Sequence, residues 1–114
     1  MDNFKIEHTE LKRCDLLTLR GRIDSSKAPD VEAALKGLTD NGKFHIVLDL
    51  GGVDYASSAF LRVLISSLKT TKRWNRGNIF LACLSPRLHE VFDLAGLLPL
   101  FETYDTVAEA VGDW

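Results

Sequence analysis

Leu48-Asp49-Leu50-Gly51-Gly52-Val53-Asp54-Tyr55-Ala56-Ser57-Ser58-Ala59-Phe60-Leu61-Arg62-Val63-Leu64 begins as an apolar strand, meets two glycines and resumes as an amphipathic helix. The glycine pair predicts a turn at that point. Leu61, Leu64, Ile65 and Leu68 then recur at the spacing of one buried helix face. Two hydroxyls, Ser57 and Ser58, stand where this helix starts. A serine there has two physical uses. Its oxygen can accept a first-turn backbone N–H and cap the helix, worth about 1 kcal/mol. It can also carry a phosphate, bringing a charge of about −1.5 to −2 to that surface. The unpaired N–H groups and the positive end of the helix dipole tolerate or favour such a charge by roughly 0.3–1 kcal/mol when exposed. Spacing alone favours the cap and leaves the switch open.

Before this stretch, Phe4, Ile6 and His8 alternate with Lys5 and Glu7, the pattern of a short edge strand. The polar segment 10–13 turns the chain, and Leu17, Leu19, Gly21 and Ile23 alternate with Thr18, Arg20 and Arg22 in a second strand. So short a connection predicts an antiparallel pair. Asp24-Ser25-Ser26 offers capping chemistry for a first helix, with Pro29 in its first turn and Val31, Ala34, Leu35 and Leu38 facing inward. Asn41-Gly42 stops it. The third strand, Phe44 to Leu50, is apolar on both faces and is therefore expected at the centre of the sheet.

After the opening stretch, the helix ends near Lys72 to Trp74, and Asn75-Arg76-Gly77 is a turn. Ile79 to Leu84 is a second strand apolar on both faces, and it includes Cys83 as a small core residue. Ser85 caps a third helix with Pro86 at its first position, and Gly96 fits the left-handed residue that closes it. Leu97 to Phe101 reads as a last short strand. Thr106-x-x-Glu109 has capping-box spacing for a terminal helix. The order is β-β-α-β-α-β-α-β-α. Strands alternating with helices predict an α/β domain over residues 1–114, with about four helices on one mixed, mostly parallel sheet.

Composition narrows the function. With 114 residues the chain has the length of one domain, large enough to fold without disulfides or a structural metal. A formal charge of −2 gives no basic face for nucleic acid. No apolar run reaches the roughly 18 residues of a membrane span, and Met1 to Lys5 leads into no signal-peptide core. Cys14 and Cys83 fit no metal or redox spacing, and His45 has no second ligand at metal spacing. These features predict a cytoplasmic protein with no membrane insertion, no metal and no cofactor of its own. The three histidines do not converge, Gly51-Gly52 lacks both nucleotide-loop patterns, and Ser58 lies in no nucleophile elbow, so no enzyme emerges.

Beyond spacing, Ile46-Val47-Leu48-Asp49-Leu50-x-x-Val53-Asp54-Tyr55-x-Ser57-Ser58-Ala59-x-Leu61-Arg62-Val63-Leu64 resembles the signature of the STAS domain, and within it the bacterial anti-sigma factor antagonists. Gly21-x-Ile23-Asp24, Ser85-Pro86-x-Leu88-x-x-Val91-Phe92-x-x-x-Gly96-Leu97 and Asp105-Thr106-Val107-x-Glu109-Ala110 extend the likeness over nearly the whole chain. The resemblance implies partner switching. The unmodified protein would bind an anti-sigma factor that is also a serine kinase, phosphorylation would break the complex, and a PP2C-type phosphatase would restore it. ATP would belong to the partner.

The register puts the phosphoacceptor on Ser58, with Asp24 in the neighbouring loop, and implies a partner-binding surface of Asp24, Ser57, Ser58, Ala59, Phe60 and Arg62. Phe60 stands where the family has glycine, and its ring is expected beside the acceptor, as a partner contact or a hindrance to the kinase. The alternative that the family offers is a STAS scaffold that is never phosphorylated, in a stress-signalling assembly or as a lipid-transporter component. A nucleotide site built on Gly51-Gly52 has the weakest support.

Overall fold

The computed structural model describes residues 3–74 and 76–114. Five strands form one sheet in the order β1-β2-β3-β4-β5, so neighbours in sequence are neighbours in space. β1 (Lys5–Glu10) and β2 (Asp15–Ile23) are antiparallel. β3 (His45–Ala56), β4 (Asn78–Ala82) and β5 (Thr103–Tyr104) follow in parallel. The helices are α1 (Ala28–Asp40), α2 (Ser58–Lys72), α3 (Pro86–Leu94) and α4 (Val107–Gly112), with a 3-10 turn at Leu98–Leu100. The expected mixed, mostly parallel sheet with four helices is the observed one.

Alternation along the central strands divides the core in two. Ile46, Leu48 and Leu50 of β3 and Ile79 and Leu81 of β4 meet Leu35 of α1, Leu64 of α2 and Phe92 of α3. Val47, Phe80 and Ala82, pointing to the opposite face, meet Ala110 of α4 with Val107 and Trp114 packed alongside. Trp114 lies between Phe80 and His45, with ring centroids 4.2 Å and 4.3 Å away. His45 therefore opens β3 half-buried under an aromatic cover. The charged edge is tied down as well: His8 Nε2 and the buried Asp15 carboxylate are 2.8 Å apart.

The bounds of the elements depart from the sequence reading at four places. Gly51-Gly52 is no turn, because β3 continues through it to Ala56, held to β2 by pairs that run to Ile23 and Ala56. The pair's small size has another use. A Cβ on Gly52 would come within 2.9 Å of the Arg20 side chain, and one on Gly51 within 3.2 Å of both Asp49 Oδ1 and Cys83 Cβ. Leu97 to Phe101 is not a strand; the 3-10 turn around Pro99 takes up the segment, and the edge strand is two residues further on. α1 begins behind Lys27 with no side-chain cap, since the Asp24 carboxylate is bound to Ser26. β4 stops at Ala82, and Cys83 follows it half-buried with φ +65°. The other end signals hold: Ser85 and Thr106 cap their helices, and Gly96 closes α3 at φ +73°. Asn75, part of the turn read after α2, lies outside the described residues.

Candidate functional site

The carboxyl ends of β2 and β3 meet the start of α2 at one corner of the molecule. The Ser57 backbone N–H donates to Ile23 O at 2.9 Å, which fixes the end of β3 against the end of β2 just before the chain enters α2. Ser57 takes an extended conformation, with φ −77° and ψ 162°, and its hydroxyl accepts the Phe60 N–H at 3.2 Å. That is the geometry of a capping residue. Ser58 is the first residue of the helix. It is exposed, and its hydroxyl makes no hydrogen bond among the described residues.

The two serines are therefore separated by environment. Ser57 is only 7 % exposed and its oxygen is occupied. Ser58, one residue on, presents an unoccupied hydroxyl to solvent. α2 has no acidic residue in its first turn, so nothing there competes with a negative charge for the helix start.

Phe60 is corrected. It was expected beside the acceptor as a partner contact or a hindrance; it is fully buried in the main core. Residues two apart on a helix point to nearly opposite sides. With Ser58 outward, Phe60 must face the sheet, where it joins Leu61, Leu64 and Leu68. The sequence carried this signal, because Phe60, Leu64 and Leu68 are four residues apart. Phe60 thus leaves the surface, and so does Ser57. Exposed Arg62 and half-buried Ala59 stay at the surface, lining a cleft between α1 and α2 together with Ser25 and Glu32.

Asp24 closes the site from the β2–α1 loop. Its Oδ1 accepts from Ser26 Oγ at 2.6 Å and from the Ser26 N–H at 3.0 Å. The Ser26 side-chain bond, followed by backbone bonds from Ser26 and Lys27 and the nearby Lys27 charge, holds the Asp24 carboxyl below its ordinary pKa. The loop is thus braced internally. Beside it, the Arg22 guanidinium lies 4.1 Å from the centroid of the exposed Tyr55 ring, a pairing that spacing did not suggest. The alternation of β2 turns Arg22 outward, and the register Arg22↔Tyr55 across β2 and β3 supplies its partner.

Among the described residues no cluster of histidine, cysteine or carboxylate could hold a metal, and no helix is long and apolar enough to cross a membrane. Both cysteines are thiols whose pKa is raised, first by burial.

Known proteins resemble the chain throughout. The STAS domain model matches residues 5–110. A Bordetella bronchiseptica protein, BtrV, named as a candidate anti-sigma factor antagonist, is 40% identical over 83 residues, 73% of this chain and 71% of the relative. The crystal structure of an anti-sigma factor antagonist from Mycobacterium paratuberculosis superposes with a TM-score of 0.86 at 21% identity, covering 98% of this chain and 94% of that one. The Bacillus cell-fate determinant SpoIIAA in its phosphorylated form gives a TM-score of 0.74 at 19% identity, covering 96% and 97%. A family model spanning this much of the sequence, together with that fold, shows that the chain belongs to the STAS domain family.

Proposed function

We propose that the chain is an anti-sigma factor antagonist, a regulator that binds an anti-sigma factor and is switched off by phosphorylation of Ser58. The observation that carries this reading is the division of labour at the start of α2. Ser57 takes the capping role, so Ser58 is left exposed with an unoccupied hydroxyl. The names of the relatives support the regulatory class.

In this reading the unmodified corner formed by Asp24, Ser58, Ala59 and Arg62 docks on the anti-sigma factor, in the cytoplasm. That partner is also a serine kinase and holds the ATP. Ser58 Oγ attacks the γ-phosphorus and ADP leaves. The hydroxyl proton passes to a base of the kinase. The phosphate adds a charge of about −1.5 to −2 to a surface fitted to a neutral hydroxyl, and the complex separates. The helix start accepts the charge without unfolding. A PP2C-type phosphatase then transfers the phosphoryl group to water and regenerates the serine.

Incubation with the cognate anti-sigma kinase and ATP tests the assignment. Intact mass and peptide mapping are expected to show one phosphate, on Ser58. Phosphate uptake by Ser58→Ala at the unchanged rate would overturn it.

A further inference from the structure

α2 carries its charge in one sign and on one side. Arg62, Lys69 and Lys72 are exposed, and the helix contains no acidic residue. Ser58, Arg62, Lys69 and Lys72 follow one another at intervals of four, seven and three residues, each close to a whole number of helical turns. The exposed hydroxyl of Ser58 therefore stands at the head of a cationic stripe.

Arg62 is the member of that stripe nearest to Ser58. It makes no hydrogen bond or ion pair among the described residues. Glu32 of α1 lines the same cleft, yet the two are not paired. Resting on the proposed phosphorylation of Ser58, we propose that Arg62 is the receiving side chain for that phosphate. A phosphoserine at position 58 pairs with the Arg62 guanidinium one turn later in the same helix.

Three points favour the pairing. An acid four residues before a base is the better orientation for a pair on a helix surface. Guanidinium and phosphate match as a two-pronged, charge-assisted pair. Finally, Arg62 has no carboxylate to give up. The consequence reaches beyond repulsion: the modification adds anionic charge and also engages Arg62, a cation of the partner-facing corner one helical turn beyond Ser58. Asp24 in the β2–α1 loop and Glu32, which lines the cleft from α1, bring acidic charge to this corner. Both oppose the phosphate dianion, so the effect of Arg62 is read against them.

Phosphoserine installed at position 58 during translation makes the test independent of any kinase. Phosphorus NMR is used to follow the second ionisation of the phosphate against pH. Arg62→Gln is expected to raise the midpoint by roughly 0.2–0.4 pH unit relative to the otherwise unaltered phosphoprotein. Arg62→Lys is expected to recover part of that change. Lys72→Gln, about 21 Å along the helix from Ser58, is expected to leave the midpoint where it was. An Arg62→Gln midpoint equal to that of the parent phosphoprotein would overturn the pairing, as would an equal shift from Lys72→Gln. Either result leaves Ser58 free to be the acceptor, whereas a kinase that ignores Ser58 removes the switch but not the measured pairing.

Discussion

The Ser57 hydroxyl accepts the Phe60 backbone N–H at 3.2 Å, and this single bond assigns different work to two adjacent serines. Ser57 is part of the fold; Ser58 is part of the surface. Ser57→Ala removes one of the few partners available to the N–H groups of the first turn of α2, in a buried position. A loss of about 1 kcal/mol is expected. Ser58→Ala breaks no hydrogen bond and is expected within about 0.5 kcal/mol of the parent protein. Urea denaturation of the two variants measures the contrast. Equal losses would mean that the capping role is shared.

The same division predicts the behaviour of a charge placed at position 58. Ser58→Asp puts a carboxylate on an exposed first-turn position where no acidic residue competes for the helix dipole. Its stability is expected to equal or slightly exceed that of the parent, by roughly 0.3–1 kcal/mol. Its affinity for the anti-sigma partner is expected to fall. Thermal melts together with calorimetric titration separate the two effects. A variant that loses binding because it has melted would remove the electrostatic explanation.

Most of the architecture was legible because its signals are local. Alternation in β2, two-sided apolar runs in β3 and β4, and Ser-Pro and Thr-x-x-Glu starts each act within a few residues. What escaped depends on contacts across the chain. Gly51-Gly52 has the chemistry of a turn, but pairing with β2 keeps the strand going and the Arg20 side chain lies over the second glycine. β5 is two residues long and exists through its pairing with β4, so no pattern of its own announces it. Choosing between Ser57 and Ser58 needs the phase of α2 to within one residue. The burial of Phe60 sets that phase, and a register taken from family resemblance had placed Phe60 outside.

Phe60 therefore makes a sharp test of the site. Where the family resemblance expects glycine, this chain has a fully buried ring that anchors the first turn of α2. Phe60→Ala is expected to cost about 3–5 kcal/mol, the range for emptying an aromatic core position. Phe60→Gly adds up to about 1 kcal/mol for glycine in a helix. Restoring the family residue is thus expected to damage the protein rather than to open the site. Denaturant unfolding gives the first result, and kinase assays on the remaining folded fraction give the second. Faster phosphorylation of an equally stable Phe60→Gly protein would show that the ring does screen Ser58.

Tyr104 gives a pH-dependent prediction on the opposite face of the sheet. Burial, then the hydrogen bond its hydroxyl donates to Asp113 Oδ2 at 2.5 Å, push its pKa up from 10 to about 12. The folded state thus holds this proton more tightly than the unfolded chain does. The associated stability is intact below about pH 10 and is lost as the pH rises towards 12. Tyr104→Phe removes both the late-titrating phenol and its bond to Asp113, the residue that follows α4, so the variant is expected to be less stable near neutral pH and to have a flatter profile across that alkaline window. The chain has two tyrosines, so a phenolate absorbance titration of Tyr104→Phe reports Tyr55 alone. The component missing from the variant should be the one that ionises near pH 12 in the parent. If the parent instead loses no late component, the Tyr104–Asp113 bond does not hold α4 against β5 in solution.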